Sequence, residues 1–283
     1  MGNRDKYTYE LKPSEDAIQK SYNDYLELKE LLEKSKYHSG GFYFLNNNKI
    51  FNEENKPKFC NYQIKLETSS GINCFIRRIE VRLSKDYKIE ETLTNDISKS
   101  QSQNEDKNRG KYLNWSKKPK NVYGRQTDKV TKVCYQKDTF NRGHLIADSI
   151  IKYSESFNYS KCENFVMITN WCNRANTMDS NKIACGMYYF EKMILDTLKI
   201  DNTAILYRVT PVFKINENEC RQSNCKKFEY LPRGIIIEAK IKGDTCFKGK
   251  NARALEKSFT TEFNVFIPNA QNNVDIIYDK KCN

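Results

Sequence analysis

The chain has 283 residues, 38% of them apolar, enough to bury a sizeable core as one large domain or two unequal ones. Its mean hydropathy of -0.81, with no apolar run near the ~18 residues that a bilayer crossing needs, excludes a transmembrane helix. A formal net charge of +12 points to a polyanionic partner and says nothing of fold.

The first residues, Met1-Gly2-Asn3-Arg4-Asp5-Lys6, have no apolar stretch behind them. Either the protein is not secreted or a signal peptide has already been removed. Pro13-Ser14 then offers an N-cap, and Ile18, Tyr22, Tyr25, Leu28 and Leu32 recur at helical spacing, which predicts an amphipathic helix over 14–36 ended by Gly40-Gly41. Two strands are expected next, Phe59 to Glu67 and Cys74 to Leu83; in the second, Ile79, Val81 and Leu83 alternate with charged residues. The Ser69-Ser70-Gly71 turn makes them a hairpin, which a Cys60–Cys74 bridge could staple. Residues 84–111 are polar and without apolar period, so they read as a loop or linker. The expected division is therefore an N-terminal helix and hairpin extension over 1–100 and a catalytic body over 105–283.

That body opens on the densest positive charge in the chain. From Lys107 to Arg142 there are eleven Lys or Arg against Asp128 and Asp138, a local net of +9, interleaved with Tyr112, Trp115, Tyr123, Tyr135 and Phe140. Cations that neutralise phosphates and rings that stack bases are what a nucleic-acid groove needs, although a solvated basic face has the same composition. Lys117, Lys118, Lys120, Arg125 and, further on, Arg174 are the expected phosphate contacts. A strand over Lys129 to Tyr135 precedes Asn141-Arg142-Gly143-His144; an Asn-rich stretch covers 164–181, and a helix is expected over 180–198. Strands follow at Ala204 to Phe213, Gly234 to Ile241, Glu262 to Ile267 and Val274 to Tyr278. The class is α+β with a mainly antiparallel sheet.

Ten cysteines, an even number, fit a disulfide set formed in an oxidising compartment, hence secretion, with Cys220 and Cys225 a plausible short-loop pair. Buried free thiols in a reducing compartment are the alternative. With no CxxC pair and only His38 and His144, a structural zinc site has little to build on.

Of the two histidines, His38 lacks chemical company. His144 follows Arg142, whose guanidinium can fork onto phosphate oxygens, and Gly143, which permits close backbone approach. An imidazole with an ordinary pKa near ~6.5 is suited to take a proton from water at neutral pH. Downstream, the carboxamides of Asn164, Asn170, Asn173 and Asn176 are hard neutral oxygen donors suited to Mg²⁺, though Asn equally caps helices and fills turns. Glu191 flanks an apolar helical stripe of Ile183, Met187, Phe190, Ile194 and Leu198, and could lean into a site or stay solvated.

Asn141-Arg142-Gly143-His144-Leu145-Ile146-Ala147, Glu163-Asn164-Phe165, Trp171-Cys172-Asn173-Arg174 and Tyr189-Phe190-Glu191, in that order, resemble the DNA/RNA non-specific endonuclease family with its His-Me (ββα-metal) finger, closest to the bacterial DNA-entry and secreted DNase branch. Tyr207-Arg208-Val209-Thr210-Pro211-Val212, Leu231-Pro232-Arg233-Gly234 and the run from Phe263 to Asn269 resemble that branch's strands, so the likeness spans about 110–280. It implies a catalytic histidine at the end of one finger strand, a metal-binding asparagine at the start of the following helix and a glutamate further along it, which fall on His144, Asn173 and Glu191. The spacing from Asn to Glu is several residues longer here than in that branch, which makes Asn170 the competing ligand. Asn141 stands where many members carry aspartate. The implied chemistry is Mg²⁺-dependent hydrolysis, with Mn²⁺ as substitute, of DNA or RNA backbones to 5′-phosphate products. Arg142 would grip a phosphate, and little sequence preference is expected. The contrasting expectations are a catalytically inactive nucleic-acid-binding protein on the same fold and a secreted binder of acidic glycans.

Overall fold

The computed structural model describes residues 12–45, 60–68, 71–84, 122–126, 129–133, 140–154, 164–179, 182–200, 203–214, 229, 231–254, 260–272 and 275–278. Its centre is a seven-stranded antiparallel sheet built from β1 (Lys36–His38), β2 (Phe42–Phe44), β3 (Cys60–Thr68), β4 (Gly71–Ser84), β11 (Ala204–Val212), β12 (Gly234–Lys242) and β13 (Glu262–Pro268). The spatial order is β1-β2-β13-β12-β11-β4-β3. The class is α+β with a mainly antiparallel sheet, as expected.

Period-2 alternation fixes which face of that sheet is apolar. Ile79, Val81 and Leu83 of β4 line up in register with Val209, Tyr207 and Ile205 of β11, which in turn face Ile237, Ala239 and Ile241 of β12. All of these are buried. A 12-residue helix, Met187–Leu198, covers this face with Met187, Phe190, Met193 and Ile194 and forms one core with it. The opposite face is covered at one end by Ile18, Leu28 and Leu32, which pack on Tyr43, Leu45 and Phe266.

The single helix expected over 14–36 is two, α1 (Glu15–Lys20) and α2 (Leu26–Glu33). Ser14 does cap the first, its hydroxyl accepting from Ala17 N. The break at residues 21–25 has a tertiary cause: the buried Arg233 guanidinium donates to Ser21 O at 3.2 Å and to both Asp24 oxygens at 2.6 and 2.8 Å. Glu229 receives its other edge. A buried cation with a full set of acceptors outweighs the few tenths of a kcal/mol per residue that helix propensity supplies. Lys36 is not helical either; it opens β1.

The hairpin is present as β3 and β4, but its register sets Cys60 opposite Glu80 and Cys74 opposite Lys65. The two Cα atoms thus stand about five residues, roughly 16 Å, apart along the strands. That is far beyond the reach of a disulfide, so the expected staple is not made. The boundary drawn between 100 and 105 runs through this sheet, since β4, on the near side of it, pairs with β11 on the far side, and β3 pairs with β4. The loop expected over 84–111 lies, beyond Ser84, outside the described residues.

The basic segment is seen as backbone only in β5 (Val122–Gln126) and β6 (Lys129–Val133), which form a three-stranded sheet with β14 (Asp275–Ile277). The helix expected from residue 180 instead starts at Met187, because Asn176–Asp179 (β9) and Lys182–Cys185 (β10) pair as a hairpin first. Among the described residues no helix is long and apolar enough to cross a membrane.

Candidate active site

Two short strands, β7 (Phe140–His144) and β8 (Phe165–Thr169), pair antiparallel with Arg142 opposite Met167 and His144 opposite Phe165. Helix α3 (Asp148–Ile151) follows β7, and helix α4 (Asn170–Arg174) follows β8 directly. The two strands and α4 form the ββα finger that the sequence suggests. His144 is the last residue of its strand and half-buried.

The chain beyond His144 is pinned by one side chain. Asn164 Nδ2 donates to Ile146 O and its Oδ1 accepts from Ile146 N, each at 2.8 Å, while Leu145 N donates to Asn164 O. A carboxamide carries the donor and acceptor of a peptide group, and Asn164 here continues the strand pairing for one more step.

The start of α4 is fixed from the C-terminal strands. Thr169 caps it, its hydroxyl accepting from Cys172 N at 3.1 Å and donating to Ala270 O at 3.0 Å. Asn269 Oδ1 accepts from Thr169 N at 2.7 Å, and Asn269 Nδ2 donates to Pro232 O at 2.9 Å. Asn269 itself is fully buried.

Gly143 brings strand and helix together. A Cβ at this position would lie 2.3 Å from Ile168 Cδ1 and 3.4 Å from Asn173 Oδ1. The Ile168 side chain fills the space that a Cβ would need, so glycine fits here, and the Asn173 carboxamide oxygen lies at ordinary van der Waals distance from the same point. Asn173 is half-exposed, and no hydrogen bond to a described residue engages its side chain. Asn170, the competing candidate, is 5% exposed and already engaged by other groups. Of the two, Asn173 has the oxygen that a hydrated ion could reach.

Glu191 lies on the helix Met187–Leu198, now α5, and not on α4 as the resemblance implied. The hairpin β9–β10 separates them, which accounts for the long spacing from Asn173. The two helices nevertheless touch: a Cβ on Gly186, just before α5, would meet Trp171 O at 2.4 Å and Cys172 O at 2.7 Å. Asn251, in the 3₁₀ turn Lys250–Ala254, tethers α5 further. Its Nδ2 donates to Tyr189 O at 2.8 Å and to Asn176 Oδ1 at 2.9 Å, and its carbonyl accepts from the Tyr189 hydroxyl. Glu191 is 7% exposed; it is not the solvated flank that helical spacing allowed.

Of the expected phosphate contacts, Arg174 is exposed in the last turn of α4. Arg142 and Arg125 are placed by their backbone in β7 and β5, and Lys117, Lys118 and Lys120 lie outside the described residues. The β5–β6 pair is joined to the finger through β14, whose Ile276 packs on the buried Leu231–Tyr278 cluster, as does Met167, the partner of Arg142. His38 stacks on Phe42 at 4.5 Å between ring centroids and accepts from Gly40 N, a structural role. Cys172, Cys185 and Cys246 are free thiols, so these three stand outside any disulfide set; Cys220 and Cys225 are outside the described residues.

The clamping roles of Asn164, Asn251 and Asn269 are not legible in the sequence: each is a buried or half-buried carboxamide bridging two segments, and although Asn164 and Asn269 fall within the family-like motifs, Asn251 falls within none.

The family model for DNA/RNA non-specific endonucleases matches residues 61–252. Similar solved structures include the Sda1 nuclease with bound zinc ion, at 15% identity and a TM-score of 0.43, covering 86% of this chain and 95% of that one. An extracellular endonuclease is similar at 14% identity and a TM-score of 0.38, covering 83% of this chain and 89% of that one. No curated protein matches the chain in sequence.

Proposed function

The chain belongs to the DNA/RNA non-specific endonucleases, and from that premise we propose that His144 is the general base of a divalent-metal-dependent phosphodiester hydrolysis. The chain is thus a nuclease, and its substrate a nucleic acid. The observation that carries the mechanistic reading is the approach of the Asn173 carboxamide oxygen to Gly143, the residue before His144. It supports a base and a metal ligand facing one reacting phosphate.

The donor set fits a hard cation. Asn173 contributes a neutral, half-exposed oxygen, and Glu191 a nearly buried carboxylate on the adjoining helix. Among the described residues no three His, Cys, Asp or Glu side chains gather as a cage. Mg²⁺, which keeps most of its waters and needs few protein ligands, suits such a site, with Mn²⁺ as substitute. When bound, the ion would supply charge stabilisation for the phosphate and the departing 3′ oxygen.

His144 accepts a proton at a ring nitrogen from the water whose oxygen attacks phosphorus. The P–O3′ bond breaks, and the departing 3′ oxygen takes a proton from solvent water, leaving a 3′ hydroxyl and a 5′-phosphate. Arg142 holds a phosphate oxygen, and Glu191 would accept from water bound to the ion and so orient it. Lys117, Lys118, Lys120, Arg125 and Arg174 neutralise neighbouring phosphates, which favours DNA and RNA alike and reads little base sequence. All groups that touch substrate lie within 105–283, while residues 1–100 contribute sheet strands and the α1–α2 cover. Secretion into an oxidising compartment rests on the cysteine count alone.

The test is digestion of supercoiled plasmid with Mg²⁺, with chelator, and with His144→Ala. We expect cleavage only in the first case, with 5′-phosphate ends. Cleavage by His144→Ala at the wild-type rate would refute the assignment, and DNA binding without any cleavage would make the chain an inactive member.

A further inference from the structure

Among the described residues only two large apolar side chains stand out in solvent, Leu26 at 65% and Tyr188 at 46% exposure. Leu26 opens α2, whose three glutamates outnumber its one lysine, and a polyanion gains nothing there. A single exposed leucine needs no explanation. Tyr188 is placed otherwise: it lies in the first turn of α5, where that helix abuts the one that carries Asn173.

The abutment fixes what surrounds the ring. Gly186 N donates to Ala175 O at 2.9 Å, and a Cβ on Gly186 would meet Trp171 O at 2.4 Å and Ala175 N at 3.0 Å. Of residues 170–175 and 185–191, all but three are buried: Asn173 is half-exposed, and Arg174 and Tyr188 are exposed. Arg174 is one residue before the backbone contact and Tyr188 two after it, so at about 3.8 Å per residue their Cα atoms stand no more than roughly 18 Å apart, a span of a few nucleotides. Tyr188 is also the i−3 neighbour of Glu191 on α5, which puts the two Cβ atoms about 5–6 Å apart. Its ring thus borders the carboxylate assigned to the ion's water.

We propose that Tyr188 is a base-stacking subsite, taking an unpaired nucleobase of the strand whose phosphate lies at Asn173 and His144. The inference rests on the functional reading above and deepens it by naming the form of nucleic acid that fits. With one phosphate at the site and a neighbouring one on Arg174, a base of the same strand comes within reach of the ring. A phenol ring offers its face to any base, and such a contact is worth roughly tenfold or more in affinity. It reads no sequence, because every base has the same kind of face. A paired base must first leave its stack, at a cost comparable to what the contact returns. The subsite therefore favours single strands, frayed ends and loops over intact duplex.

The test measures binding in chelator, where nothing is cut, by fluorescence anisotropy of a labelled single-stranded oligonucleotide, of an abasic oligomer with the same sugar-phosphate backbone, and of a duplex. Wild type is compared with Tyr188→Ala and Tyr188→Phe. Tyr188→Ala should bind the base-bearing single strand roughly tenfold more weakly, with the abasic oligomer and the duplex bound as by wild type. Tyr188→Phe keeps the ring and should match wild type on all three. Melting temperatures should not move, since the side chain is exposed. In Mg²⁺, Tyr188→Ala should raise KM on single strands and keep kcat. Equal losses on the abasic and base-bearing strands would make Tyr188 a backbone contact, and no loss on either would make it an idle surface group; each result overturns the subsite. A wild-type chain that binds but never cuts would instead sink the nuclease mechanism, and the binding differences would still decide the role of Tyr188.

Discussion

Asn164 clasps Ile146 with both ends of its carboxamide, Nδ2 donating to the carbonyl and Oδ1 accepting from the N–H at 2.8 Å each. The clasp closes the strand two residues after His144 and sets the direction in which the chain leaves it. Asn164→Ala should therefore cost about 1–3 kcal/mol of stability. It should lower cleavage by roughly 100-fold through misplacement of the imidazole, with Mn²⁺ binding little changed. Melting curves, cleavage rates and Mn²⁺ titration on one preparation check this; an equal loss of metal affinity would move Asn164 into the metal site itself.

Asn173→Ala should abolish cleavage or demand far more Mg²⁺, whereas Asn170→Ala should chiefly lower stability, because Asn170 is buried and already engaged. Cleavage measured across a Mg²⁺ series separates the two, and the reverse ranking would hand the ligand to Asn170.

Removal of the imidazole in His144→Gly should reduce cleavage by roughly 10²- to 10⁴-fold and leave space beside the scissile phosphate. Added imidazole should restore part of the rate, saturably, and more so as pH rises through its own pKa, since only the neutral form accepts a proton. Asn173→Ala should show no such rescue. Recovery with raised Mg²⁺ and no response to imidazole would make His144 a metal ligand.

Partial burial tends to raise the Asp24 carboxyl, but the Arg233 guanidinium and Lys214 outweigh it and hold it below the usual carboxylate range. A lowered folded pKa gives stability that is complete above the unfolded value and lost as pH falls through the folded one. Wild type should thus melt above Asp24→Asn at neutral pH, and the gap should close only at acid pH, below the ordinary aspartate value. Melting temperatures from neutral to strongly acid pH test this; a gap that persisted at the acid end would assign the effect to packing and not to charge.

Cys172, Cys185 and Cys246 are free, and ten cysteines less three leave seven, an odd number, so a fourth thiol must also lack an intramolecular partner. The unfolded, unreduced chain should titrate at least four thiols. In the native protein Cys172 and Cys185 should react slowly, burial having raised both, Cys185 to about 12. Fewer than four would contradict the structure, and ten would place the protein in a reducing compartment.

The sheet was legible because its signal is local. Ile79, Val81 and Leu83, or Ile235 and Ile237, declare a buried face by alternation, and the structure pairs them in register. The α1–α2 break was not legible, since its cause is Arg233, more than two hundred residues away in the chain. The β9–β10 hairpin was hidden for a related reason: Ile183 falls on the same apolar stripe whether the segment is strand or helix. At the site, His144 and Asn173 stood out by motif. The depth of Glu191 and the clamps made by Asn251 and Asn269 depend on what the fold brings beside them, and an isolated Asn carries no signal of that.

The contact of Gly186 with the carbonyls of Trp171 and Cys172 makes the span between Asn173 and Glu191 independent of the chain that links them. Backbone abutment sets that distance, so the β9–β10 hairpin can change length without changing the chemistry. Residues inserted between Asp179 and Lys182 would lengthen an excursion whose two ends are already anchored, by Asn176 to Asn251 and by Cys185 N to Gly40 O. That junction is where a reporter group could be spliced into the nuclease with the abutment of the two helices undisturbed, whereas a single methyl group on Gly186 would press on the Trp171 and Cys172 carbonyls and pry α4 and α5 apart.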